Sequence, residues 1–352
     1  MIGGLIVLLG IIAMVMIHEA GHFFAAKAFG MKATEFFFGF GPRLWSTQRG
    51  ETEYGVKAIP LGGYVRIIGM NPYEEVEPDD EGRTYRERPF WQKSIVVLAG
   101  VASHFVVAFV LFFVVNSLIG ITERTTTISE VQATIDGRAT PAAEAGLEAG
   151  DRIVSIAGIP VETWTDLTSE IVDLPGETVA LGVIRDGREI ELTPTLLARD
   201  TAECEACAGY LGVVSGEAKN RSNPIAGMVD AGGQVVDAVA VSSRGMWQLF
   251  TGLGDLLSAT FGGDDEGLDE VRPTSFVGLV GLGSQGDATF AVQIVALVNV
   301  FVGLFNVIPL YPLDGGHFSV ALYEKVRGRP ADVQKLAPIA AAVVIFFVLL
   351  GV

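Results

Sequence analysis

Four stretches of the chain, Gly3–Phe29, Ile95–Ile121, Phe290–Pro309 and Leu336–Val352, stay apolar over roughly the 20 residues that cross a bilayer as a helix. Between the first two lies Thr34–Trp45, aromatic, strand-like and too short to span, with Gly39 and Gly41 as bend positions. It predicts a hairpin dipping into the membrane interface, and Tyr54–Ile68 predicts a second strand. Non-helical backbone at membrane depth survives only when buried in protein or lining a wet cavity, so these strands belong beside whatever site the helices build. Asn71–Pro89 is a charged, proline-bearing loop. After the second apolar stretch the pattern changes to that of a water-soluble fold. Thr125–Thr134 reads as a strand, Gly146–Asp151 as a turn, and Asp151–Val161 as an alternating strand with a turn at Gly158. A helix near Trp164–Leu174 and strands at Val179–Arg185 and Glu189–Leu196 follow. Asn220–Leu257 is semi-apolar with scattered glycines and predicts amphipathic helices on the outer membrane surface. Phe261–Pro273 predicts an acidic loop, and Ser275–Ser284 a re-entrant piece entering the third apolar helix.

Composition agrees with this division. At 352 residues, mean hydropathy +0.44 and 50% hydrophobic residues, the chain is too apolar for an ordinary soluble protein and reads as a membrane protein with a modest soluble insert. The first apolar stretch lacks a basic leader, which predicts a permanent helix rather than a cleaved signal. Ten Lys/Arg lie in Lys27–Lys93 and four in Leu310–Lys335, while Gly120–Ala288 has ten in more than twice the length of the first. The positive-inside rule therefore predicts a multi-pass protein of the cell (inner or plasma) membrane, the two shorter segments cytoplasmic, both termini and the long segment extracytoplasmic. That long segment sets 27 Asp/Glu against its ten cations, an excess equal to the whole chain's net charge of −17. Such a solvated acidic face argues against nucleic acid as a partner. Cys204 and Cys207 fall in the outer segment, too few ligands for a structural zinc, and predict a local disulfide.

Chemistry is concentrated where the first apolar run ends, at His18-Glu19-Ala20-Gly21-His22. Positions i and i+4 share one helix face, so His18 and His22 can present imidazole nitrogens to one zinc ion. Glu19, beside them without being a ligand, fits the general base of an H-E-x-x-H metalloprotease, which takes a proton from a water whose pKa the metal lowers to about 7. Three ionisable groups within five residues of an apolar span mark a functional site. The third apolar stretch ends in Asn306-Val307-Ile308-Pro309 and Pro312-Leu313-Asp314-Gly315-Gly316-His317, and topology carries Asp314 to the same side of the membrane as the histidines. A His₂Asp set with an open fourth position results. His317 competes for the third place or serves as a neighbouring partner or cap. His104, about two turns into the second apolar stretch, is either a buried imidazole bonded to a neighbouring helix or a group that contacts substrate or the metal shell.

The turn Gly146-Leu147-Glu148-Ala149-Gly150-Asp151 and the elements after it resemble a PDZ domain, a fold that binds extended peptides by adding a strand to a sheet edge. With His18–His22, Phe38-Gly39-Phe40-Gly41-Pro42, Pro60-Leu61-Gly62-Gly63-Tyr64 and Asn306 through His317, nearly the whole chain resembles the site-2 protease family of intramembrane zinc metalloproteases, of the bacterial type with one PDZ insert. The resemblance implies four transmembrane helices, a membrane-associated β-hairpin and one extracytoplasmic α+β domain. Its divisions are residues 1–30, 31–93, 94–121, 122–216 (the PDZ domain), 217–288, 289–316, 317–335 and 336–352. It also implies Zn²⁺ on His18, His22 and Asp314, with Glu19 as general acid and base. The strand carrying Gly63, Tyr64, Val65 and Arg66 would hold an unwound substrate helix, and Asn306 and His104 would touch it. Implied substrates are single-span membrane proteins such as anti-sigma factors or remnant signal peptides, first trimmed by a site-1-type protease. The family's Gly-Pro-x-x-Asn pattern appears here as Gly100-Val101-Ala102-Ser103-His104. A PDZ scaffold with a vestigial zinc site and a metal transporter are the alternatives. Neither needs a general base beside a tetrahedral zinc, so Glu19 argues against both.

Overall fold

The computed structural model describes residues 2–71, 74–200, 208–251, 276–329, 331–332, 336–338, 340–343 and 345. They form two units, Met1–Ile119 with Ser222–Val352, and Gly120–Arg221. The expected disulfide positions Cys204 and Cys207 lie outside the described residues, as does most of the apolar stretch 336–352.

The first unit is a helix bundle with a β-ribbon. Helices α1 (Ile2–Ala28) and α2 (Phe90–Val114, continued by one π turn at Val115–Ile119) bear apolar side chains on nearly every face. Their contact closes around Gly21, where an added Cβ would stand 2.6 Å from the Ala99 carbonyl oxygen. Between them run β1 (Ala33–Arg49) and β2 (Thr52–Ile67). The ribbon folds over on itself: residues 33–38 pair with 63–67 and residues 35–38 also with 53–56, and Arg43–Arg49 pairs with Thr52–Lys57. The bend falls at Gly39 (φ 86°) and Gly41 (φ 81°), and a Cβ on Gly39 would meet the Ile59 carbonyl oxygen at 2.7 Å. Residues 63–67 are thereby left as an edge, anchored from below by a core of Phe23, Ala26, Met31, Ile67, Val96 and Val97.

Where separate surface helices are expected over 220–257, residues Pro224–Thr251 form one helix, α4 (α3 lies in the insert, below). Its alanines Ala231 and Ala238 pack against Ala108 and Phe112 of α2 and against Ala296 and Val300 of α6 (Ala288–Val307). Small residues on one face let the helices approach closely, an advantage that the mixed composition of this segment conceals from a hydropathy reading. By length and composition, α1, Phe90–Ile119, Pro224–Gln248 and α6 each qualify as a membrane span. The expected re-entrant piece is helix α5 (Phe276–Gln285), packed against the start of α1 at Gly3 and Gly4. After α6, the prolines at 309 and 312 end the helical run, and α7 (Asp314–Arg327) begins at Asp314.

The second unit is an antiparallel sheet in the order β7-β3-β4-β5-β6, made of Val213–Asn220, Ile121–Val131, Arg152–Ile156, Leu181–Arg185 and Arg188–Leu192. Helix α3 (Trp164–Val172) begins with a capping box between Thr163 and Asp166 and covers one face with Leu167 and Ile171. Those two join Ile128, Ile153, Ile156, Leu181 and Val183 in the core, the inward set of an alternating pattern. Arg185 grips the buried Asp151 through Nε and Nη2, both 2.7 Å, and reaches the Gly146 carbonyl, locking the Gly146–Asp151 turn.

Candidate metal centre

His18 and His22 stand one turn apart near the end of α1, with Nε2 atoms 3.1 Å from each other. Asp314 arrives from the first turn of α7, where a carboxylate is favoured by the helix dipole, and its Oδ2 is 3.4 Å from both Nε2 atoms. Bonds of 2.0–2.1 Å to a tetrahedral metal separate its ligands by about 3.3 Å, so this triangle has the edge lengths that zinc requires. The protonation pattern agrees. His22 Nδ1 donates to the Val96 carbonyl of α2 at 2.8 Å, which leaves Nε2 bare in a neutral ring, and Asp314 Oδ2 is buried with no hydrogen-bond partner. The lone pairs of His22 Nε2 and Asp314 Oδ2, 3.4 Å apart, repel unless a proton or a metal cation lies between them. Among the described residues, these three are the group able to hold a metal.

His22 is seated by α2. A Cβ on Gly100 would lie 2.3 Å from its Cε1 and Nε2, so the imidazole occupies the space a side chain would take. Glu19 faces elsewhere: its Oε2 accepts from the Val65 N–H of the β2 edge at 3.0 Å. Gly63 lies close by, where a Cβ would meet Met16 Sδ at 3.0 Å and Glu19 Cγ at 3.4 Å. The candidate base thus sits between the metal triangle and an edge strand. In an antiparallel ribbon alternate residues turn both backbone groups to the same edge, so Gly63 and Val65 share that outward orientation.

The side chains of Tyr64 and Arg66 are committed to the ribbon. Tyr64 stacks on Phe37 and Phe40 and its hydroxyl bonds Glu35 and Lys57, while Arg66 pairs with Glu35 and Glu74. What this edge leaves open is therefore its main chain. Beyond it opens a cleft of about 860 Å³, lined by Tyr64, Val65, Arg66, Tyr311 and His317 among others. His317 stands one turn past Asp314 with its ring 4.8 Å from that of Tyr311, and is not part of the metal triangle. Asn306 is half-buried in the last turn of α6, and among the described contacts none joins it to the triangle. His104 is 2% exposed, its ring 4.8 Å from that of His18. Sequence reasoning missed Asn299, the fully buried partner of His104, although a lone amide inside an apolar helix is the kind of signal that singled out His104.

The sequence model of peptidase family M50 matches residues 6–351. The zinc metalloprotease Rip1 of Mycolicibacterium smegmatis is 34% identical, the alignment covering 100% of this chain and 96% of the relative. Its namesake in Mycobacterium tuberculosis is 32% identical over 97% and 93%. A solved PDZ domain from Listeria monocytogenes aligns with 26% of this chain and 87% of its own at 22% identity, with a TM-score of 0.21. Spanned end to end by the family's pattern and matched at full length by such relatives, the chain belongs to peptidase family M50, the site-2 proteases, and is a zinc metalloprotease.

Proposed function

We propose that the chain hydrolyses peptide bonds inside the bilayer, in unwound transmembrane segments of single-span membrane proteins, at a zinc ion held by His18, His22 and Asp314. The observation that carries this reading is the three ligand atoms at tetrahedral spacing beside a carboxylate that is not among them. Zinc there supplies Lewis acidity, polarising the scissile carbonyl and making water acidic enough to be activated near neutral pH. Everything else falls to the chain. Glu19 takes a proton from the attacking water and returns it to the departing amine, which needs a carboxylate free to reach both. Val96 and Gly100 keep His22 oriented from α2.

A peptide bond inside a helix has its backbone groups already paired, so the substrate must unwind first. The edge at Gly63–Ile67 offers replacement partners, and its contact with Glu19 places an added strand within reach of the base. The basic segments Lys27–Lys93 and Leu310–Lys335 support a site that faces the cytoplasm, and the insert, read as an extracytoplasmic PDZ domain, would control which substrates enter after a site-1-type protease has trimmed them. Purified protein with Glu19→Gln should keep its zinc and lose cleavage of a single-span reporter. His18→Ala, His22→Ala and Asp314→Ala should lose both. Equal zinc loss in all four would refute the assigned roles.

A further inference from the structure

Helix α2 brings His104 against Asn299 of α6, with His104 Nδ1 3.3 Å from Asn299 Oδ1. The helices meet closely here, since a Cβ on Gly303, one turn beyond Asn299, would stand 3.0 Å from His104 Cβ. The direction of the hydrogen bond follows from its neighbours. Asn299 Nδ2 donates to the Val295 carbonyl at 2.8 Å, and a carbonyl can only accept. The amide nitrogen must therefore face Val295, which turns the amide oxygen toward His104. That oxygen also can only accept, so the shared proton belongs to His104 Nδ1. In the neutral ring Nε2 is then bare, and it is buried with no partner in the protein. An unsatisfied buried acceptor is costly and rare, which marks a place where something binds. The ring lies beside His18, yet His104 is outside the metal triangle.

We propose that Asn299 is a positioning residue that holds His104 in the Nδ1–H tautomer, so that Nε2 accepts a hydrogen bond from the attacking water. The water has two protons. Glu19 removes one, and Nε2 holds the other without taking it, which aims the oxygen lone pair at the scissile carbonyl. A histidine side chain in water favours Nε2–H, the form that would present a donor here and point the wrong way.

This inference rests on the site reading above, and its test separates the two. In metal-free protein carrying ¹⁵N-labelled histidine, the chain's four histidines give resolvable ring signals, and that of His104 is identified by its disappearance in His104→Asn. The parent should show a protonated Nδ1 and a bare Nε2, and Asn299→Leu should convert the ring to Nε2–H. A parent ring protonated on Nε2 overturns the proposal. Kinetically, Asn299→Leu should lower kcat by about 10- to 100-fold with KM unchanged, the range for partners of active-site ligands. It should add no further loss in the His104→Asn background, since an asparagine there has no tautomer to fix. Equal losses in both backgrounds would make Asn299 merely structural and would also overturn it. If Asn299→Leu fails to accumulate, Asn299→Ala serves the same comparison without added bulk. A failure of the site reading would show instead as retained cleavage in Glu19→Gln, whatever tautomer His104 adopts.

Discussion

Gly100→Ala tests the centre with a single methyl group. That methyl would lie 2.3 Å from two atoms of the His22 ring, whereas relaxed carbon contacts sit at 3.5–4.0 Å, so ring or helix must yield by about 1.2 Å or more. Metal sites tolerate errors of about 0.2 Å in ligand position, several times less than this displacement. Two effects on stability oppose each other: Ala in a helix interior is favoured over Gly by about 0.5–1 kcal/mol, and overpacking costs about 1–3 kcal/mol. The fold should therefore survive with a small net loss while the zinc site does not. Metal analysis of purified protein should show zinc occupancy falling at least tenfold at limiting metal, and cleavage of a single-span reporter should fall with it. Gly232→Ala in α4, where nothing lies within 4 Å of the new Cβ, makes the same chemical change and should leave both untouched. If Gly100→Ala binds zinc and cleaves like the parent, His22 is not held against α2 as described, and the geometry of the triangle loses its support.

Other outcomes can be stated more briefly. His317→Ala should leave zinc content largely intact while Asp314→Ala lowers it, and the opposite ranking would make His317 the third ligand. Val65→Pro removes the donor to Glu19 at an edge position that tolerates proline, so cleavage should fall about 10- to 100-fold, matching about 1.5–3 kcal/mol for a hydrogen bond to a charged group, with zinc retained. In the insert, Arg185 holds the Asp151 carboxyl below the usual carboxylate range. The pair's contribution is thus complete above about pH 5 and drains away as pH falls through the ordinary value near 3.9 toward the folded one. Hydrogen exchange of the insert amides should follow that course, and Arg185→Ala should lower protection at neutral pH and flatten the acid limb. Deleting about Thr125–Ser215 and rejoining the helices by a flexible linker should let an untrimmed reporter be cut, with Glu19→Gln abolishing cleavage in both forms. Continued rejection of untrimmed reporters would make the insert a recruiter rather than a gate.

The parts of this centre that could be read from the sequence are those fixed by local geometry. His18, Glu19 and His22 lie within one and a half helical turns, so their relation follows from helix periodicity alone. The ribbon was legible for a similar reason, since Gly39 and Gly41 mark its bend and its alternation marks its strands, although its double pairing with 53–56 and 63–67 depends on register that no local pattern encodes. The long helix at 224–251 was hidden because its glycines and polar residues lower its hydropathy, while its stability comes from alanines fitted against α2 and α6.

What the sequence conceals is the set of contacts that decide where protons sit. The Val96 carbonyl that orients His22 is 74 residues away, and the Val65 N–H that meets Glu19 is 46 away; both are backbone groups, which every residue has and which leave no mark in composition. Asn299 and His104, 195 residues apart, are each visible as a polar residue in an apolar helix, but neither pattern says that they touch. The proposed chemistry nonetheless rests on these contacts. The Val96 carbonyl leaves His22 a bare nitrogen for the metal, and Val65 sets Glu19 beside the edge strand. The same kind of bond, from His104 to Asn299, leaves Nε2 an acceptor. A motif search that stops at H-E-x-x-H and Asp314 finds the proposed ligands and base, and misses the Val96 carbonyl and Val65 amide that contact His22 and Glu19, as it misses the Asn299 amide that contacts His104.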